Sequence, residues 1–147
     1  MDLDLPLFCQ QLVARCADAI VYADSEGVIG FWNSSAARVF GYSDQEAVGQ
    51  SLNLIIPQNL RERHWQGFDQ TMRTGESRYG AGDILSVPAL RKDGGRISVE
   101  FTIVPFRDAD GRMVGIAAVL RDVSTRFEQM RTLQRELAAL RGGGAEA

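Results

Sequence analysis

The chain's 147 residues include one histidine, His64, and two cysteines, Cys9 and Cys16. These are the side chains whose types could ligate a metal or act as a nucleophile. Leu60 and Phe68 stand one helical turn to either side of His64, and Trp65 and Met72 extend the same apolar side. An imidazole in such a setting is neutral. It either keeps a lone pair for a metal or packs in the core with a hydrogen bond to a backbone carbonyl, and both readings stay open at this point. On a helix, the seven-residue spacing of Cys9 and Cys16 puts them about 10 Å apart along the axis, too far for a disulfide within one chain. They read as small apolar residues on a helix face. A single histidine without a cysteine cluster gives too few ligands for structural zinc. No Ser or Thr has a visible nucleophile–base partner, and no glycine-rich phosphate loop precedes a helix. The residues carry no catalytic constellation, and the chain is expected not to be an enzyme.

Composition narrows the class further. Apolar residues make up 45% and charged residues 24% of the chain, with a net charge of −3, ordinary values for a globular domain with a sizeable core. The sixteen Lys and Arg are interleaved with acids rather than gathered on one stretch, which argues against a nucleic-acid partner. No apolar run approaches the length of a transmembrane helix, and the N-terminus does not resemble a signal peptide. The expectation is a cytoplasmic protein with neither nucleic-acid nor membrane partners.

The elements that must position His64 follow from periodicity and turn chemistry. Leu5, Phe8, Leu12, Val13 and Cys16 mark an amphipathic helix. Residues 19–23 and 28–32 form a hairpin across Asp24-Ser25-Glu26-Gly27. Asn33 caps a short helix stopped by Gly41, and Ser43 with Glu46 forms a capping box for another. A longer helix over about 59–73, closed by Thr74-Gly75, carries His64. Strands follow at 79–90, 96–106 and 113–120, split by the turns Lys92-Asp93-Gly94-Gly95 and Asp108-Ala109-Asp110-Gly111. After Asp122 a helix opens, with Thr125 and Glu128 as a capping box and Met130, Leu133, Leu137 and Leu140 as a heptad-like stripe. The fold class is α+β, with helices grouped on one face of an antiparallel sheet. The expected organisation is a flanking helix over 1–18, one α+β domain over 19–122, a C-terminal helix of coiled-coil type over 123–141 and a flexible tail over 142–147.

Several stretches, taken together, resemble the PAS domain family. They are DSEGVIGFWNSSAARVFGYSDQEAVGQ, Leu54-Ile55-Ile56-Pro57, RKDGGRISVEFTIVPF and the closing GIAAVLRDVSTR. The resemblance implies a five-stranded antiparallel sheet in the order 2-1-5-4-3, with helices enclosing a pocket over one face, and a signal passed from the last strand to the exit helix. Pro57, His64 and Thr74-Gly75 are spaced as in the oxygen-sensing haem PAS domains. That likeness implies b-type haem with His64 as the axial ligand of the iron, Phe68 beside it, Arg78 near a propionate, and Phe101 and Ile103 on the apolar distal wall. The arginine with which that subfamily steadies bound gas has no counterpart on the strand after Arg78.

The alternative is a haem-free interaction module whose pocket holds a small metabolite, a flavin or only side chains. A cysteinyl–flavin adduct is excluded, because no cysteine follows Cys16. The partners expected are a second copy, in a homodimer through the terminal helices, and an output protein or domain that is separate or missing from this chain.

Overall fold

Five antiparallel strands and five α-helices make up a computed structural model that describes residues 2–76 and 84–145. The strands are β1 (Ala19–Asp24), β2 (Ile29–Trp32), β3 (Leu85–Leu90), β4 (Arg96–Arg107) and β5 (Met113–Asp122), hydrogen-bonded in the order β2-β1-β5-β4-β3. This is the order that the resemblance implied. The helices are α1 (Leu5–Arg15), α2 (Ser34–Phe40), α3 (Asp44–Ala47), α4 (Arg61–Thr74) and α5 (Ser124–Ala145). No helix among the described residues is long and apolar enough to cross a membrane.

Alternation sorts the sheet into two faces. Ala19, Val21 and Ala23 of β1, Ile97 and Val99 of β4, and Ile116 and Leu120 of β5 are buried beneath the helices. They divide into two apolar clusters. The larger one gathers Val21, Ile29, Trp32, Phe40, Val99 and Leu120. The smaller one packs Phe68 of α4 on Ala23 and Ile116, with Leu52, Trp65, Met72, Ile103 and Met113 around them.

Local chemistry sets the ends of the helices. Asn33 caps α2 through its Oδ1, and Gly41 ends it at φ 84°, a left-handed turn that a side chain would strain. The Ser43–Glu46 capping box is formed on α3. Gly75 ends α4 at φ 72°, and a 3₁₀ turn over Gln58–Leu60 precedes that helix, so Leu60 lies just outside the α-helix.

Three expectations change. Val28 leaves the β1–β2 ladder for an isolated bridge to Ser51. The exit helix starts at Ser124, with Asp122 Oδ1 accepting from the Ser124 amide at 2.9 Å, so Thr125 lies inside it and is not its cap. The tail expected to be flexible from 142 onward is helical through Ala145. Each glycine costs about 1 kcal/mol of helix propensity, but neither Gly142 nor Gly143 takes the positive φ that ends a helix. Of the strand expected over 79–90, residues 79–83 lie outside the described residues, and β3 begins at Leu85.

Candidate functional site

α4 carries His64, and the helical period sets its ring near that of Phe68, with centroids 6.0 Å apart. Trp65 meets the imidazole edge-on at 4.7 Å and Phe68 at 5.2 Å. His64 is half-buried, and its Nδ1 is fully buried with no hydrogen-bond partner among the described residues. Burial holds its pKa below the ordinary 6.5, with the Asp69 carboxylate pulling the other way. The ring is therefore neutral at pH 7, the state in which imidazole ligates metal.

A second device fixes Trp65. Its Nε1 donates to Asn53 Oδ1 at 2.7 Å, and the far edge of the indole lies where a side chain on Gly27 would stand. With φ at 77°, Gly27 is suited to glycine both by its backbone and by this close approach. Trp65 thereby ties α4 to the β1–β2 turn, beside the histidine.

The expected site residues divide as follows. His64 and Phe68 are brought together on α4, and Ile103 of β4 joins Phe68 in the smaller cluster. Phe101 points to the same face of the sheet but packs against the larger cluster, so the structure separates it from Phe68. Arg78 lies outside the described residues. Asn53 and Gly27 enter the surroundings of Trp65 without any signal in the sequence, since their contact is made through the fold. Met72 and Met113 border the smaller cluster, and only Met72 follows from helical spacing.

The donor chemistry fits haem iron. One neutral imidazole, with a buried and unpartnered nitrogen, stands among apolar rings. Space is a separate matter, because the Trp65 and Phe68 rings fill the apolar side of His64. Two clefts open elsewhere. One is lined by Ala17, Arg38, Arg91 and Arg121, the other runs along α5 by Thr125, Gln129 and Leu133, and neither has His64 in its lining.

Comparison with known proteins places this geometry in a family. The family model described as PAS fold matches residues 8–123. The sensor protein FixL of Bradyrhizobium diazoefficiens is 31% identical over 86 residues, 58% of this chain and 17% of that protein. The oxygen sensor protein DosP of Escherichia coli is 26% identical over 123 residues, 84% of this chain and 15% of that protein. The chain thus spans about one sixth of the length of these relatives. Among solved structures, an RNA-binding light-oxygen-voltage receptor superposes with a TM-score of 0.71 at 21% identity, over 97% of this chain and 39% of that one. At that identity the likeness is one of fold alone. With the strand order, the helix order and the match over 8–123 in agreement, the chain belongs to the PAS family and is a sensory-type domain.

Proposed function

We propose that this domain binds b-type haem through His64 and signals a diatomic gas or a redox change to a partner through α5. The observation that carries this reading is the buried, unpartnered Nδ1 of a neutral imidazole at the smaller apolar cluster. Leaving such a group unsatisfied costs on the order of 1–3 kcal/mol, and an occupant that bonds to that nitrogen offsets the cost. Relatives named as a sensor and an oxygen sensor support the reading, as does the spacing of Pro57, His64 and Gly75. When bound, haem would supply the iron that takes up a gas or an electron. His64 would hold that iron, Phe68 and Ile103 would exclude water, and Trp65 would have to move from Asn53.

Displacement of side chains on β4 would reach the exit helix through short contacts. Val123 donates its amide to Ser98 O at 2.9 Å, Ser98 donates to Ser124 Oγ at 2.9 Å, and Arg126 pairs with Glu100 at 2.7 Å. The link is a population shift between poses of α5. The partner in this proposal is a second copy, followed by an output domain or protein. Phe127, Met130, Leu133 and Leu137 are exposed along α5, as are Leu5, Phe8 and Leu12 on α1, and such a stripe is covered when two helices pair. Replacing Leu133 and Leu137 together by Asp should shift the chain to monomer in sedimentation equilibrium and remove any dependence of its melting temperature on protein concentration.

A second reading has its own observation. The Trp65 and Phe68 rings already fill the space beside His64, as expected of a haem-free interaction module. Reconstitution with hemin separates the two. The haem reading expects a sharp Soret band that shifts with carbon monoxide and is lost in His64→Ala. Weak absorbance that is the same in His64→Ala favours the module, and a bound flavin would show its own absorbance in the protein as purified.

A further inference from the structure

We infer that the cleft between α2, the β3–β4 turn and the end of β5 is a second ligand site, one that takes a small oxyanion: a carboxylate or phosphate group on a soluble metabolite. The cleft holds about 370 Å³, within the range of small-ligand sites. Three guanidinium groups line it, each from a different part of the chain: Arg38 of α2, Arg91 of the β3–β4 turn and Arg121 of β5. Val39 and Leu120 form its apolar floor, and both belong to the larger cluster. None of its lining residues belongs to the cluster at His64.

The carboxylates nearby are committed in different ways. Asp18 takes Arg121 in a two-pronged pair, 3.1 Å to Nε and 3.1 Å to Nη2. Asp122 accepts from the amide and hydroxyl of Ser124 at the start of α5. It also lines the cleft, so its charge opposes an anion at that edge. Asp93, itself exposed, lies 3.7 Å from the half-buried Arg91, a loose pair that water screens from the Asp93 side. Arg38 meets no carboxylate among the described residues. It is steadied instead by donating Nη2 to Ala17 O at 2.8 Å, as Arg91 is by donating Nη1 to Val39 O. A guanidinium carries five N–H donors, so both keep donors for an occupant while their stems are held in place. Forked donors of this kind match a carboxylate or phosphate in two-pronged fashion.

The placement gives the site a role. Ala17 belongs to the segment that joins α1 to β1, and Asp122 ends β5 one residue before the exit helix. An anion between Arg38 and Arg91 would therefore sit beside the Asp18–Arg121 tie, where the chain enters and leaves the domain.

The test is calorimetric titration of the haem-free full chain with pyrophosphate and, separately, with citrate, at ionic strength matched with sodium chloride. Its outcome is thus independent of the haem reading. The expected result is saturable binding of at least one anion at one site per chain, weakened at least about tenfold in Arg38→Gln, the loss of a charge-assisted contact, and restored in part by Arg38→Lys. Tighter pyrophosphate points to a phosphate-bearing metabolite and tighter citrate to a carboxylate. Arg91→Gln should weaken binding as well. If it unfolds, the exposed Arg38 carries the test alone. No saturable heat from either anion, or unchanged affinity in Arg38→Gln, overturns the proposal.

Discussion

Asn33 and His64 are both polar side chains set against apolar clusters, and their surroundings differ sharply. Asn33, 4% exposed, uses its whole amide. Its Oδ1 accepts from the amides of Ile20 and Ala36, each at 2.9 Å. Its Nδ2 donates to Val13 O at 2.9 Å and Asp18 O at 3.0 Å. It stitches the end of α1, the start of β1 and the first turn of α2 into one unit, over a cluster whose Phe40 is 0% exposed. His64, on the other cluster, has a buried nitrogen that nothing meets. The first region is a finished frame, because among the described residues its buried polar side chains are paired and Phe40 is closed off from solvent. The second is thinner, resting on Phe68, Ala23 and Ile116 as its buried members, and carries an unsatisfied group of the kind that marks a functional position.

Substitutions at these two residues should therefore act with opposite sign. Asn33→Ala removes a helix cap and leaves several buried backbone groups without partners, and should cost about 2–4 kcal/mol in denaturant unfolding. Preserved stability would mean that the network is not structural. His64→Leu in the ligand-free protein should be neutral or raise stability by about 1 kcal/mol, because it removes an unpaired buried nitrogen and keeps the apolar volume. A large loss there would show a structural imidazole.

The smallest effect is on pH dependence. The His64 pKa is lowered in the folded chain, so the unfolded chain binds its proton first as pH falls. Stability should hold at neutral pH and decline below about 6.5, and that decline should be shallower in His64→Leu. Identical profiles for the two proteins would show that His64 is not buried in solution.

Much of the frame could be read from local chemistry. The turn at Lys92-Asp93-Gly94-Gly95, the alternation of Ile97, Val99, Phe101 and Ile103, and the Ser43–Glu46 box all rest on residues adjacent in sequence, and each formed. The side of α4 that faces the sheet followed from the helical spacing of Trp65, Phe68 and Met72. What could not be read depends on contacts across the chain. Asn33 was visible as a cap but not as the link to Val13 and Asp18. Trp65 was visible as an apolar helix residue, while its bond to Asn53 and its approach to Gly27 exist only once α4 is docked. Phe101 and Ile103 share one strand face, yet they fall in different clusters because the helices divide the space above them. Arg38 and Arg121 read as surface charges, and nothing in their spacing brings them to one cleft.

Amide hydrogen exchange with and without one equivalent of hemin compares the two regions directly. If His64 is a haem ligand, hemin should slow exchange in α4 and in β4 and β5 beneath it, leave α2 and β2 unchanged, and have no such effect in His64→Ala. Exchange that is unaltered, or slowed to the same extent in the wild type and in His64→Ala, would contradict haem binding through this imidazole.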